Sequence, residues 1–176
     1  MIPTPTLTPT LETERLLLRP MRAEDVDALL PIFSDPKVMA SFGGVLFDRG
    51  QMAWWVRRNL DHQRRYGYGL FSVILKESGV LIGDCGLERM EVLGRVETEL
   101  GYDFRSDYWG LGLATEAAAA VHDFAFDTLK LPRLICLIRQ GNAASCRVAE
   151  RIGMKLSDEM VRDGRVYWVY ALSREP

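Results

Sequence analysis

The feature that most constrains this chain is a glycine-rich turn, residues 107–116, between a strand-like run and a helix-like run. Residues 97–104 alternate as in a strand, residues 114–129 are alanine-rich, and Gly110 and Gly112 lie between them. The start of a helix leaves backbone N–H groups without intrahelical acceptors, and glycine lets a ligand approach them. The helix dipole adds partial positive charge there. The turn therefore predicts an anion cradle suited to a phosphate or pyrophosphate.

Two familiar phosphate-binding patterns do not fit this turn. A P-loop requires Lys followed by Ser or Thr after its last glycine, whereas Leu113 and Ala114 follow Gly112. A dinucleotide fingerprint requires a third glycine at the position of Thr115. A tight helix start without a ligand remains an alternative, so the interpretation depends on the other motifs.

The turn is one of four ordered motifs. The others are Glu-Leu-Gly-Tyr at 99–102, Asn-Ala-Ala-Ser at 142–145 and Glu-Arg-Ile-Gly-Met at 150–154. Together with residues 108–117, this set strongly resembles the GNAT superfamily of acetyl-CoA-dependent N-acetyltransferases. Within it, the set resembles the RimJ/RimL type, named for N-terminal acetylation of ribosomal proteins. The resemblance covers residues 13–172, nearly the whole chain.

Two positions in the turn depart from the family's pattern. Asp107 stands where Arg or Gln is common, and Leu111 stands where a polar or basic residue is common. We therefore expect the phosphates to be held by the backbone rather than by side chains at these two positions.

Composition limits the class of protein. The chain has 176 residues, of which 48% are hydrophobic and 26% charged, as in a soluble globular protein. A net charge of −2 gives no general attraction to nucleic acid or membranes. Cys85, Cys136 and Cys146 lack metal-ligand spacing, which predicts no metal site and reduced thiols in the cytoplasm. We expect residues 1–12 to be a disordered tail and residues 13–176 to form a single domain.

The periodicity of the chain predicts an α/β (α+β) protein with a single mixed central sheet of about seven strands and helices on both faces. The predicted helices are residues 23–33, 49–66, 114–129 and 143–152. The predicted strands are residues 15–19, 70–76, 80–88, 95–104, 133–139, 155–162 and 165–172. The GNAT resemblance implies that the strands at 95–104 and 133–139 are parallel neighbours that splay apart.

The same resemblance implies that acetyl-CoA is the co-substrate. Its pantetheine arm is expected in the gap between the splayed strands, and its pyrophosphate on the amides of residues 109–114. A backbone N–H near Tyr102 is our candidate donor to the acetyl carbonyl. The predicted acetyl-CoA contacts are Tyr102, Asp103, Phe104, Trp109, Gly110, Leu111, Gly112, Leu113, Ala114, Thr115, Asn142 and Ser145.

Acetyl transfer requires a neutral amine, and most amines are protonated at neutral pH, so a base is needed. Alternation places Glu97, Glu99 and Asp103 on one face of their strand. We predict Glu99 as a base acting through water; Glu97, or no protein base, remains an alternative. Both glutamates also fit ordinary carboxylates on a sheet face.

The leaving thiolate needs a proton as well. Many family members supply it from a tyrosine, but residues 142–152 contain none, and the resemblance implies Ser145 in this role. Ser145 also fits a purely structural role at the start of the helix. Cys146 is not favoured as a covalent nucleophile, because no histidine lies near it in sequence.

The sequence thus predicts an N-acetyltransferase that moves an acetyl group directly to a primary amine, either a protein N-terminus or a small molecule. The alternative is a non-catalytic CoA-binding or sensing module. We expect no nucleic-acid or membrane partner, and a monomer or homodimer.

Overall fold

A computed structural model of the chain describes residues 8–174. In this structure the chain forms a central sheet of eight strands. They are β1 (Leu11–Glu12), β2 (Leu16–Pro20), β3 (Leu70–Leu75), β4 (Val80–Val92), β5 (Arg95–Phe104), β6 (Arg133–Arg139), β7 (Lys155–Arg162) and β8 (Arg165–Ser173). Their order in the sheet is β1-β2-β3-β4-β5-β6-β8-β7. Among the described strands, only β5 and β6 pair in parallel. The predicted mixed central sheet is confirmed.

The additional strand, β1, lies in the segment predicted to be a disordered tail. Leu11 pairs with Leu18 and Glu12 with Leu17. Leu11 also packs against the main hydrophobic core. The predicted tail therefore extends too far along the chain. The strand was missed because two residues are too few to show a periodicity. Residues 1–7 lie outside the described residues.

Within residues 8–174, five α-helices accompany the sheet. They are α1 (Val26–Phe33), α2 (Pro36–Met39), α3 (Arg49–Tyr66), α4 (Leu113–Asp123) and α5 (Ala143–Arg151). The bounds of α3 match the prediction, because Asp48 caps its first turn and Gly67 ends it. The short helix α2 lies in a stretch, residues 34–48, for which neither a helix nor a strand was predicted. The predicted helix at 114–129 is α-helical only as far as Asp123 and continues as a π-helix, Phe124–Thr128.

The helices cover both faces of the sheet. On one face, α4 and α5 pack against a core that includes Leu100 and Phe104 of β5. On the other face, α1 and α3 form a second core with β3 and β4. Because side chains alternate along a strand, Glu99, Gly101 and Asp103 point toward the α1 and α3 side.

The strands β5 and β6 share a single registered pair, Glu99 with Ile135. Just beyond this pair, two side chains bind backbone N–H and C=O groups that would otherwise pair β5 with β6. The Glu99 carboxylate accepts a hydrogen bond from the Leu137 N–H (3.3 Å), and the Cys136 thiol lies 3.0 Å from the Leu100 carbonyl oxygen. The predicted splay of these two central strands is confirmed.

Candidate active site

A cavity of about 740 Å³ extends along the gap between β5 and β6. It reaches the start of α4 at one end and the segment from α1 to α3 on the other side of the sheet. All of the predicted acetyl-CoA contacts line this cavity except Leu111. The predicted catalytic residues, Glu99 and Ser145, also line it.

The turn before α4 has the backbone geometry that an anion cradle requires. Gly110 and Gly112 have φ angles of 79° and 77°, a conformation that favours glycine. The first intrahelical amide bond of α4 runs from Glu116 N–H to the Gly112 oxygen (3.1 Å). The amides of residues 113–115 precede that bond, so they are not used by the helix itself.

Trp109 lines the cavity, but its N–H groups are engaged within the protein. Its amide N–H already donates to the Ser106 oxygen (3.2 Å), and its indole N–H donates to the Phe104 oxygen (2.9 Å). The amides suited to a phosphate therefore begin at Gly110. The Trp109 side chain instead braces the end of β5.

Two residues that the sequence analysis missed hold the turn in place. The Glu116 carboxylate accepts hydrogen bonds from the Arg15 amide N–H (2.8 Å) and Nε (2.7 Å). The Arg15 guanidinium in turn donates to the Leu111 oxygen (2.9 Å). This contact directs the Leu111 carbonyl toward Arg15, and the Leu111 side chain is 55% exposed. Arg15 and Glu116 are too far apart in sequence for any local pattern to pair them.

The backbone N–H and C=O groups of alternate β5 residues face the gap. The Arg105 N–H donates to the Ile82 oxygen of β4 (2.9 Å). Since backbone groups alternate in direction along an antiparallel pair, those of Asp103 also face β4, and those of Tyr102 and Phe104 face the gap. This geometry favours Tyr102 as the pantetheine contact. It does not favour the Asp103 backbone, which was predicted to make one; only the Asp103 side chain remains available to the cavity.

Tyr102 also connects the two sides of the gap. Its hydroxyl donates to the Ser145 main-chain oxygen (2.8 Å). Burial raises the pKa of the Tyr102 phenol far above its ordinary value, so the hydroxyl remains a donor at neutral pH. Ser145 itself lies in the first turn of α5 and lines the cavity.

Asn142 caps α5, as predicted. Its Oδ1 accepts a hydrogen bond from the Ser145 N–H (3.2 Å), while its Nδ2 donates to the Ser41 hydroxyl (2.9 Å). Both ends of the amide are thus engaged within the protein. The side chain joins α5 to the segment after α2.

Glu99 lies where β5 and β6 separate. Burial raises the pKa of Glu99 to about 7, and the charge of Glu88 adds to this rise. A carboxylate with a pKa near neutrality is suited to accept a proton at physiological pH. The other candidate, Glu97, does not line the cavity, and its carboxylate contacts the Arg133 guanidinium (3.3 Å).

The cavity wall formed by β4 and β5 carries an acidic patch that was not predicted. We define it as Asp84, Glu88, Glu99 and Asp103, all of which line the cavity. In the β4–β5 register, Asp84 lies opposite Asp103 and Glu88 lies opposite Glu99. Glu88 forms an ion pair with Arg58 of α3. The one sequence signal for the patch is Asp84, a charged residue in the otherwise apolar and glycine-containing run at 81–87.

Apolar side chains from the α1–α3 segment form the opposite wall. The Phe33 and Trp55 rings pack at a tilt of 46°, with ring centroids 4.7 Å apart. The remaining apolar residues of this wall are Val38, Met39, Phe42, Val45 and Phe47. The cavity therefore combines an acidic side with an apolar and aromatic side.

Comparison with known proteins identifies the class. The model of the acetyltransferase (GNAT) domain family matches residues 15–155. The uncharacterized N-acetyltransferase p20 of Bacillus licheniformis is 33% identical over 171 residues, covering 93% of this chain and 94% of that protein. The chain therefore belongs to the GNAT acetyltransferase family, and the predicted resemblance is confirmed.

Solved structures agree with this assignment. An acetyltransferase from Agrobacterium tumefaciens strain C58 superposes with a TM-score of 0.81 at 33% identity, covering 95% of each chain. RimL, a ribosomal L7/L12 alpha-N-protein acetyltransferase in complex with coenzyme A, shares the fold with a TM-score of 0.79 at 18% identity, covering 94% of this chain and 98% of RimL.

These findings define the protein as an acetyltransferase of the GNAT family with the GNAT fold, as predicted. Acetyltransferases of this family use acetyl-CoA and act on amine acceptors. Within residues 8–174, no helix combines the length and apolar character needed to cross a bilayer.

Proposed function

We propose that the protein transfers the acetyl group of acetyl-CoA directly to a primary amine. The observation that carries this proposal is the arrangement of one cavity. The Gly110–Gly112 turn, the open edge of β5 at Tyr102 and the Glu99 carboxylate all line it. These features supply a turn that can bind the cofactor's phosphates, a strand edge that can hydrogen-bond its pantetheine arm, and a base. Amine acetylation requires all three.

The residues at the cavity fit acetyl-CoA. The amides from Gly110 to Thr115 suit the pyrophosphate, because they lie at a helix start where the dipole favours an anion. The Tyr102 main chain suits the pantetheine amides, which would extend the sheet as an added strand. Gly101 leaves this part of β5 open, since a Cβ built there meets no atom within 4 Å. Acetyl-CoA would supply the acetyl thioester.

Each catalytic task then has one candidate group. Glu99 accepts a proton from the incoming ammonium, directly or through water, and the freed lone pair forms the new C–N bond. The Tyr102 N–H donates to the carbonyl oxygen as charge develops on it. As the C–S bond breaks, the Ser145 hydroxyl gives its proton to the sulfur. The nitrogen of the new C–N bond releases its second proton to solvent, and Ser145 is reprotonated from solvent.

The test is to incubate the purified protein with acetyl-CoA and a mixed pool of primary amines and N-terminal peptides. We expect free thiol to appear faster than in the absence of amine, with acetylated product visible by mass spectrometry. A protein that binds acetyl-CoA in calorimetry but forms no product from any amine would support the non-catalytic alternative. Ultracentrifugation of the same sample would decide between monomer and homodimer.

A further inference from the structure

We propose that the acceptor is a small molecule carrying at least two amines, whose second, non-reacting ammonium binds at Asp84 and Asp103. This inference rests on the proposed function and concerns the same cavity. It names the acceptor as a slender polycationic amine, such as an alkyl diamine or longer polyamine. A protein N-terminus is the competing acceptor.

The unpartnered state of Asp84 is the first line of support. Its side chain is 0% exposed at the cavity wall, and neither carboxyl oxygen has a hydrogen-bond partner within residues 8–174. Asp103 lies directly opposite on β5 and, in the same described range, forms no ion pair. A buried carboxylate is costly unless a cation or hydrogen bonds compensate it.

The chain's other buried aspartate shows the contrast. Asp25 is 5% exposed, and its carboxylate accepts hydrogen bonds from Arg19 (2.7 and 2.8 Å), from Ser72 (2.7 Å) and from the Arg22 N–H (2.8 Å). The fold thus fully compensates a structural buried carboxylate. At Asp84 the described residues provide no such partner, so the compensating charge would come from a ligand. A pair of carboxylates favours an ammonium group.

The spacing along β5 suits two amines on one molecule. Asp103 lies four residues after Glu99 on the same face, about 13 Å away along the strand. Gly86 and Gly101, which are opposite each other in register, separate the two carboxylate pairs. The backbone of residues 69–70 fills the space beside Gly86, but a Cβ built on Gly101 meets no atom within 4 Å. An open path along β5 therefore joins the base to Asp103. A chain of several methylene groups follows that path with an amine near each end.

The opposite wall suits the methylene groups. Phe33, Trp55, Met39 and Phe47 present apolar surface to the cavity. Aromatic faces also attract ammonium groups. An alkyl polyamine therefore finds carboxylates for its charges and apolar contacts for its carbons.

A cover over the cavity favours a small molecule over a polypeptide. The segment Ala40–Phe42 is attached to the β6 side by Arg139, which donates to the Ala40 oxygen, and by Asn142, which donates to the Ser41 hydroxyl. A peptide entering here needs partners for its own N–H and C=O groups. The apolar wall does not supply them, whereas an alkyl polyamine has no such groups.

The test compares acceptors of matched length with the intact protein at saturating acetyl-CoA. The series is 1,5-diaminopentane, 1,7-diaminoheptane and spermidine, each against the monoamine of equal chain length, together with short N-terminal peptides. We expect kcat/KM to favour the diamines by about tenfold or more, as one charged contact would give. Asp84→Asn should reduce this preference, chiefly by raising the KM for diamines. Asp127→Asn, an exposed change on the opposite face of the sheet, should keep it.

Asp103→Asn provides a second variant if Asp84→Asn does not fold. Equal kcat/KM for monoamines and diamines, or a diamine preference that survives both variants, would overturn the second-charge site while leaving amine acetylation intact. A wild-type preference for N-terminal peptides would overturn it in favour of a protein acceptor. Failure to acetylate any amine would overturn the proposed function itself.

Discussion

The Tyr102 hydroxyl and the Ser145 main-chain oxygen lie 2.8 Å apart, joined by a hydrogen bond across the gap between β5 and α5. Tyr102 therefore contributes twice to the site. Its main chain forms the open edge of β5, and its side chain fixes the position of the helix that carries Ser145. That bond uses the main-chain carbonyl of Ser145, so it leaves the serine hydroxyl available for the proposed proton donation.

The first prediction concerns the cradle. Gly110→Val should weaken acetyl-CoA binding by about tenfold or more, because valine disfavours the φ of 79° and the amides at the start of α4 would move. The matched control is Gly94→Val. Gly94 has a similar φ of 73°, also has open space around it, and lies in the β4–β5 turn. Calorimetric titration and thermal unfolding of both variants check this prediction. Equal loss of affinity in both would show a general effect of strain rather than a cradle.

The second prediction concerns the base. Glu99→Gln should lower kcat at neutral pH by about 10²–10⁴, the typical contribution of a general base. Because the pKa of Glu99 is about 7, wild-type kcat should rise with pH through neutrality and then level off. The variant should continue to rise at higher pH, as free amine becomes abundant without help.

Glu97→Gln is the control for this measurement. The Glu97 carboxylate contacts Arg133 outside the cavity, so its removal should leave kcat largely unchanged. A pH–rate series for the two variants decides the matter. If Glu97→Gln loses the activity, or if neither variant does, Glu99 is not the base.

The third prediction concerns the leaving group. Ser145→Ala should lower kcat by about 10²-fold at every pH, since protonation of the thiolate is separate from deprotonation of the amine. Acetyl-CoA affinity and thermal stability should change little. The contacts of Ser145 with Asn142 and Tyr102 use main-chain atoms, which alanine retains. Wild-type turnover in Ser145→Ala, measured by thiol release, would assign the proton to another donor, such as water.

The fourth prediction concerns stability and pH. Burial raises the pKa of Asp103 from 3.8 to about 7, and burial and the charge of Asp103 also raise the pKa of Asp84. Between these values the folded state binds more protons than the unfolded chain, so these groups make the free energy of unfolding fall as pH rises from about 4 to 7. Denaturant unfolding across that range should show a smaller fall for Asp84→Asn.

Other groups also titrate in this window. Burial raises the pKa of Glu99 to about 7, which acts in the same direction, and burial lowers the pKa of His62, which acts in the opposite direction. Both residues are present in both proteins, so their contributions cancel in the comparison. Parallel stability curves for wild type and Asp84→Asn would mean that the Asp84–Asp103 pair does not titrate as described.

Most of the fold was predictable because its signals are local. The Asp48 cap and Gly67 define α3, and periodicity gives the bounds of β5 and β6. The splay followed from the family resemblance rather than from any pattern in the residues. The active-site turn was predictable for the same reason as α3, since glycines and a helix start lie together in sequence.

What was missed depends on contacts between distant residues. Arg15 meets Glu116 across 101 positions, and Ser41 meets Asn142 across another 101. The acidic patch was missed because only the β4–β5 register brings Asp84 beside Asp103. The contact of Glu97 with Arg133 likewise depends on the crossover from β5 to β6, and it separates two glutamates that alternation alone treats as equivalent.

The single registered pair between Glu99 and Ile135 divides the sheet into two sections, β1–β5 and β6–β8, that meet at one narrow seam. A molecule that binds in the gap would act as the missing strand and join the sections. Its binding energy would then add directly to the stability of the whole domain. Hydrogen exchange of amides beside the seam would slow with acetyl-CoA present, so the weakest line of the sheet would also be its most ligand-responsive one.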